Sequence, residues 1–423
     1  MNNILKSFKK NNEFLKNILT LLSGSTIAQI ITLITIPFLT RIYTPEDFGF
    51  IAIYLSLANV IATISTGRYE LAIILPKQKE DALSIIKGTF WIVIFISLIS
   101  FVIILILKSY DNIFTKFINP AYFYFFPLSV LILGLIKIFS QWYTRQKEFK
   151  FLASATIFQS GSTSVSNIGF GFLYYIQSTG LFIGHILGQC FQLILFSLKF
   201  FKKEKYELRG IDKNDIKTQL KENINFPYFS APMGFLNSIS VDILIYILNL
   251  FYSTTLVGLY TNATKVINYP LNFITQSFTS VFYQKISETE KKVKFFMISY
   301  FSNLIIAVIA MIPIIFWGEE LFSFVLGKEW EAAGSIAKYL APLTIASFAM
   351  RSVSNIFSLT RKNGILLIWQ IIYLILILTV IFFTKSSKFE IMIIGVSILG
   401  ALLYFVLAFI GYRIMINKYE KNI

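Results

Sequence analysis

The 423-residue chain has one cysteine, one histidine and little charge, with Asp, Glu, Lys and Arg making up 14% of its residues. The lone Cys190 excludes a disulfide framework and any cysteine-based metal centre. His185 is the only imidazole, so a metal site would have to rest on it and scattered carboxylates. No metal and no cofactor is expected. There is no G-x-x-x-x-G-K-[ST] run, no kinase-type signature, no H-E-x-x-H and no serine elbow. ATP hydrolysis and the common hydrolytic chemistries are therefore not expected. Room for a soluble domain is also missing. The longest polar connection, Phe201–Asn225, is too short to fold alone, and the stretch Trp317–Gly334 is shorter still.

The chain is rich in apolar residues, which make up 56% of it. This composition marks an integral membrane protein. Twelve apolar spans follow from the pattern: 18–39, 48–76, 83–107, 121–141, 153–176, 180–200, 226–250, 256–283, 295–317, 335–360, 364–384 and 391–413. Each can cross a hydrocarbon layer about 30 Å thick. The connections alternate between Lys/Arg-rich and Lys/Arg-poor. The rich set is the N-terminus (Lys6, Lys9, Lys10, Lys16), 77–87, 145–150, 199–221, 285–294, 361–362 and the C-terminal tail; the poor set is 42–47, 108–120, 177–179, 251–255, 318–334 and 385–390. Basic connections stay in the cytoplasm, so both termini are expected there. The net charge of +16 belongs to these flanks, where it sets topology and meets anionic headgroups, and implies no nucleic acid. The first apolar run lacks a cleavage pattern and is expected to act as an uncleaved insertion signal.

The sequence also echoes itself. Tyr43-Thr-Pro-Glu-Asp-Phe-Gly49 joins spans one and two, and Tyr252-Ser-Thr-Thr-Leu-Val-Gly258 joins spans seven and eight. Pro127-Leu128 precedes Thr144-Arg145 in span four much as Pro342-Leu343 precedes Thr360-Arg361 in span ten. Spans 1, 2 and 4 thus pair with 7, 8 and 10. Six spans per repeat is an even number, so the halves are parallel and related by a pseudo-twofold along the membrane normal. An all-α membrane protein of two six-helix lobes is expected, with 1–200 as the N-terminal lobe, 201–225 as a cytoplasmic linker and 226–423 as the C-terminal lobe. Thr44 can cap span two, with Pro45 at its first position and Glu46 and Asp47 against the helix dipole; Ser253 and Thr254 can cap span eight. Glu319–Gly334 is amphipathic and expected at the outer interface, with Trp330 on its apolar side. Pro37, Pro227, Pro232 and Pro270 are candidate bending points.

Charges inside spans are costly, about 2.5–3.5 kcal/mol at mid-membrane on insertion scales, and normally face a cavity or a partner. Arg68, Lys137, Lys265 and Arg351 are candidates to line a cationic lumen, and Glu70, Asp242 and His185 to couple transport to an ion. The structural alternatives are an Arg68–Glu70 ion pair, an Asp242–Lys265 pair and a packing role for His185. Positive charge outweighs negative in this set, which suits an anionic cargo, because Arg and Lys bind phosphate through charge-assisted hydrogen bonds.

Leu39–Ala82, with its "LTRIYTPEDFG" and "GRYELAIILP" segments, closely resembles the polysaccharide-biosynthesis (Wzx-type) flippases of the multidrug/oligosaccharidyl-lipid/polysaccharide exporter superfamily. "FVLGKEWEAAG", "APMGFLNSIS" and "GLYTNATKVINYPL" are similar to later parts of that family. The resemblance implies a MATE-like pair of lobes working by alternating access at the bacterial inner membrane, driven by a proton or sodium gradient or by membrane potential. The implied cargo is an undecaprenyl-pyrophosphate-linked oligosaccharide for surface polysaccharide such as O-antigen. A polymerase and a chain-length regulator are the implied partners. It also implies a lumen role for Arg68 and Glu70, which stand in "GRYE". Among rivals, a drug/cation antiporter should have an acidic or apolar cavity. Lipid II flippases resemble a fourteen-span pattern. A membrane polymerase or ligase usually carries a large outer loop.

Overall fold

The computed structural model describes residues 23–108, 120–173, 177–288, 292–351, 353–360 and 362–419. Lys6, Lys9, Lys10, Lys16, most of the 108–120 connection and Arg361 lie outside them. The described residues form helices and turns without a strand. In chain order the helices are α1 (Ser23–Leu39), α2 (Pro45–Ser65), a 3-10 turn (Tyr69–Ile74), α3 (Lys79–Lys108), a 3-10 turn (Pro120–Phe125), α4 (Phe126–Arg145), α5 (Phe149–Gly171), α6 (Gln177–Gly210), α7 (Lys213–Glu222), a π-turn (Phe226–Ser230), α8 (Ala231–Phe251), α9 (Thr254–Glu288), α10 (Lys292–Leu326), a 3-10 turn (Lys328–Trp330), α11 (Glu331–Tyr339), α12 (Ala341–Arg351), α13 (Ile356–Leu359), α14 (Asn363–Thr384) and α15 (Phe389–Tyr419).

Among the described residues, eight helices are long and apolar enough to cross a membrane: α2, α3, α4, α6, α8 with its lead-in, α10, α14 and α15. The other four predicted spans fall on α1, on the more polar α5 and α9, and on the broken stretch from α11 to α13. The polarity of α5 is satisfied by its neighbours. Ser160 and Ser164 share hydrogen bonds with Thr32 and Thr35 of α1 at 3.1 and 3.2 Å. Gly184 and Gly188 of α6 stand where a Cβ would overlap Asn167 and Thr163 of α5. Small residues at this i, i+4 spacing let two helix backbones approach closely, the usual source of helix affinity in lipid.

The chain divides into two compact units, Met1–Gly258 and Leu259–Ile423. The sequence repeat instead begins a second lobe at 226. The difference arises because α8 packs along α2, inside the first unit. The first unit is built on a core that includes Ile86, Val93, Phe139, Trp142, Phe196 and Phe200. An aromatic group joins Tyr54, Tyr122, Phe126 and Phe182.

The Tyr43–Gly49 turn behaves as its residues predict. Thr44 Oγ1 accepts from the Asp47 N–H at 3.3 Å, and Asp47 Oδ2 accepts from the Thr44 N–H at 3.0 Å, which forms a capping box. Tyr43 donates to the Asn167 carbonyl at 2.8 Å. Burial, helped by the nearby Asp47 charge, pushes its phenol up to about 12. In the equivalent turn, Ser253 Oγ accepts from the Leu256 N–H at 3.2 Å. The two turns meet reciprocally. A Cβ on Gly49 would strike the Thr254 carbonyl, and one on Gly258 would strike the Pro45 carbonyl. Pro45 and Thr254 hold the same place in their turns, so the contact has the self-complementary form that a twofold relation generates.

The second unit centres on Phe296, Tyr300, Met350, Phe357, Leu407 and Met415. The helix α10 bends at Trp317, whose φ of −129° is non-helical. Beyond it, Gly318 and Gly334 bring α10 and α11 into backbone contact. Trp330 is fully buried in this packing, not spread on an interface as its amphipathic segment suggested. Predicted span ten is not one helix either. It breaks at Leu340 and again after Arg351.

Candidate functional site: paired polar stations

In the first unit, α2 stops at Ser65, and Gly67 and Arg68 both take left-handed backbone, with φ of 58° and 59°. That conformation costs a non-glycine residue about 1–2 kcal/mol, so Arg68 is held there by its surroundings. Its backbone N–H donates to Thr66 Oγ1 at 3.2 Å. Thr66 Oγ1 donates to Glu70 Oε2 at 2.5 Å, and Glu70 Oε1 lies 3.5 Å from Arg68 Nη1. Glu70 is buried, while Arg68 keeps 27% of its side chain exposed. The predicted span 48–76 therefore needs correction. Arg68 and Glu70 lie in a turn and a 3-10 segment, because two successive left-handed residues cannot continue an α-helix.

Lys137 of α4 reaches into the same group. Its Nζ donates to Thr63 Oγ1 at 2.8 Å, and Ser238 of α8 stands 3.5 Å from that hydroxyl. Both Glu70 and Arg68 act on Lys137 electrostatically. Gly234 of α8 leaves the space the Arg68 guanidinium fills, since a Cβ there would come within 3.1 Å of Arg68 Nε. Glu70 thus pairs with Arg68, while Lys137 rests on a neutral hydroxyl. Earlier on α2, about 10 Å from Thr63 by helical rise, Ser56 Oγ donates to Asp242 Oδ2 at 2.6 Å and shares a 2.6 Å hydrogen bond with the Tyr246 hydroxyl. Asp242 is thus held by hydroxyls, and Lys265 belongs to the other unit. His185 comes from α6, beside Gly184 at the α5 seam, whereas the groups just described draw on α2, the 3-10 turn, α4 and α8.

In the second unit, Arg351 ends α12 with its side chain exposed. Its Nη1 donates to Asn272 Oδ1 at 3.0 Å and its Nη2 to Asn268 Oδ1 at 3.2 Å. Lys265, Asn268 and Asn272 share one face of α9 at i, i+3 and i+7, with Lys265 half-buried.

These two arrangements are alike in kind. Thr63 stands fourteen residues after Gly49, and Asn272 fourteen residues after Gly258. Lys137 follows Pro127 by ten residues, and Arg351 follows Pro342 by nine. In each unit a cation from the repeat's fourth span is pinned by a neutral acceptor on its second span. Sequence reasoning named both cations but neither acceptor. The offset from the repeated glycine was the available signal.

Arg145 was also missed. From the last turn of α4 it donates to the carbonyls of Ile73, Ile74, Pro76, Lys77 and Gln78 at 2.5–3.4 Å and closes the turn that carries Arg68 and Glu70. Its neighbour Glu148, between α4 and α5, takes Lys199 and Lys203 as partners. Burial alone would raise the Glu148 carboxyl, but those two lysines outweigh it and hold it below its usual range.

The sequence profile of polysaccharide biosynthesis proteins matches residues 38–335, well over half of the chain. The chain belongs to the polysaccharide biosynthesis protein family. No protein of curated function matches it in sequence. Among solved structures, this family member is similar to an inward-facing multidrug resistance MATE family transporter of the MOP superfamily (TM-score 0.64, 13% identity, 95% of each chain covered). It is also similar to the MATE transporter ClbM in complex with Rb+ (TM-score 0.51, 14% identity, 94% of each chain covered). An outward-facing MATE transporter of the MOP superfamily gives a TM-score of 0.50 at 15% identity, with 96% of each chain covered. The family member is therefore a multi-pass membrane protein with the MATE fold.

Proposed function

We propose that this protein is a flippase that carries undecaprenyl-pyrophosphate-linked oligosaccharide repeat units from the cytoplasmic to the outer leaflet of the bacterial inner membrane. Twelve crossings in two six-helix lobes, with both termini cytoplasmic, would work by alternating access. The observation that carries this reading is the duplicated cation, Lys137 on Thr63 and Arg351 on Asn272, in a polysaccharide-biosynthesis chain. A neutral acceptor orients a cation without cancelling its charge. Such a cation remains available to a diphosphate through charge-assisted hydrogen bonds. Arg68 adds a third, partly compensated by Glu70. The prenyl tail needs only lipid, so the protein's task is to shelter the polar headgroup.

Asp242 is the better coupling residue of the two carboxylates, since Glu70 is already committed to Arg68 and Thr66. Hydroxyls from Ser56 and Tyr246 beside it would complete a proton or cation site. The Rb+ complex of ClbM, a chain of similar fold, supports ion coupling. A polymerase and a chain-length regulator would act on the delivered unit.

The test is flipping of a fluorescent lipid-linked oligosaccharide in proteoliposomes, read by quenching of the outer leaflet. Wild-type vesicles should exceed protein-free ones, Arg351→Ala and Lys137→Ala should lose most of that excess, and collapsing the ion gradient should slow it. Wild-type vesicles no faster than empty ones, or both alanine variants at full rate, would overturn the reading.

A further inference from the structure

Three aromatic side chains stand beside the second-unit station. The ring centroids of Trp369 and Tyr404 are 4.9 Å apart, those of Trp369 and Tyr373 5.2 Å, and those of Tyr373 and Tyr404 6.0 Å. The Trp369 indole N–H is fixed on the Leu403 carbonyl at 3.0 Å, so the ring's orientation is set. Met350, the residue before Arg351, belongs to the core against which Trp369 and Tyr404 pack.

Their position argues against two ordinary roles. Interfacial aromatic belts sit near helix ends, yet Tyr373 is at the middle of α14 and Tyr404 at the middle of α15. In a closed core, a phenol needs a partner, because burying an unpaired hydroxyl costs about 1–3 kcal/mol. Among the described residues neither hydroxyl has a hydrogen-bond partner, and all three aromatics are half-buried. Two unpaired hydroxyls, three stacked rings and an exposed guanidinium with donors to spare form a surface that water or a polar ligand must complete. Where the repeat would place its counterpart, α5 is rich in serine and glycine instead.

We propose that Trp369, Tyr373 and Tyr404 form a platform for the sugar directly attached to the lipid diphosphate, with the diphosphate itself on Arg351. A pyranose ring presents C–H groups to an aromatic face and hydroxyls to its rim. The two phenols supply both donors and acceptors at that rim. This inference rests on the flippase reading and names the headgroup chemistry of one station.

The test uses the purified full chain and two soluble short-chain probes, citronellyl diphosphate and citronellyl-diphospho-N-acetylglucosamine, with affinity read by intrinsic tryptophan fluorescence and by thermal shift. The glycosylated probe should bind wild type about tenfold tighter, an advantage on the scale of one aromatic contact plus a hydrogen bond. Trp369→Leu and the Tyr373→Phe/Tyr404→Phe pair should erase that advantage while changing the diphosphate affinity less than about twofold. Arg351→Ala should weaken both probes alike. The phenylalanine variants remove only oxygen atoms, so they remain informative if Trp369→Leu fails to fold. Equal binding of the two probes by wild type, or an advantage that survives the phenylalanine pair, overturns the platform. In either case a normal flipping rate leaves the flippase reading standing, whereas vesicles that do not flip lipid-linked oligosaccharide overturn that reading itself.

Discussion

Replacing Asn272 by aspartate tests whether an uncompensated cation is what the stations provide. The change is nearly isosteric and keeps an oxygen where Oδ1 now accepts from Arg351 at 3.0 Å. It turns a neutral acceptor into a full counter-charge. At that distance the gross Coulomb attraction is about 5.5 kcal/mol for an effective dielectric of about 20. Arg351 is exposed, so screening and lost hydration reduce the net gain to about 1 kcal/mol or less. The protein should therefore melt at the same temperature or slightly higher. Transport should move the other way. Cancelling the charge removes a charge-assisted contact worth about 1.5–3 kcal/mol, which is a loss of about 10–150-fold in flipping rate. Asn272→Ser, which shortens the acceptor without charging it, should cost far less. The assays are melting of the detergent-purified protein and flipping in proteoliposomes. An Asn272→Asp protein that flips within twofold of wild type, with its melting temperature intact, would refute the reasoning.

Glu70→Ala should destabilise the protein by about 3–5 kcal/mol, since it strands Arg68 beside a buried site; the Arg68→Ala/Glu70→Ala double variant should lose less than the two single losses combined, and strict additivity in a melting-based cycle would exclude the pair as a unit. Gly184→Leu should lower the yield of folded protein by separating α5 from α6, while Gly161→Ala, with nothing within 4 Å of the new methyl, should be silent; size-exclusion profiles of the two variants decide this. Glu148 has a depressed carboxyl, so the stability it contributes is complete above the ordinary carboxylate range and is lost as pH falls through its lower folded value; Glu148→Gln should flatten that acid limb of the melting curve, and an unchanged limb would remove the Lys199–Glu148–Lys203 group from the account.

How much of this was legible follows from which forces act locally. Thr44, Pro45 and Asp47 announced the start of α2 because a cap is written in four consecutive residues. The apolar spans were visible because lipid demands length, and eight of them pass on their own. The breaks were not visible. Span two ends at Gly67 and Arg68, where backbone handedness is paid for by contacts from Thr66 and Glu70. Span ten fractures after Arg351 although its composition stays apolar. Long-range partners were equally silent. Nothing near Arg145 in sequence tells that its guanidinium gathers five carbonyls some seventy residues away. The candidate cations were readable because charge in an apolar run is rare. Their acceptors were hidden because Thr and Asn are common in such helices.

The repeat was the faintest of the sequence signals, and geometry adds most to it. Gly49 and Gly258 each press against the residue two places into the other's turn. Counting on from those glycines leads to Thr63 and Asn272, and each accepts from the cation of its own unit. A chance echo among apolar segments has no reason to reproduce a backbone contact and a hydrogen-bonded cation at matching offsets. Divergence then carries equal weight. The first cation sits within an unbroken helix on a threonine hydroxyl, and the second ends α12 on two asparagines. On the proposed repeat, the charge is kept in both halves while its surroundings change. That pattern fits the proposed cargo, a diphosphate at one end and a sugar at the other, better than it fits a symmetrical ion.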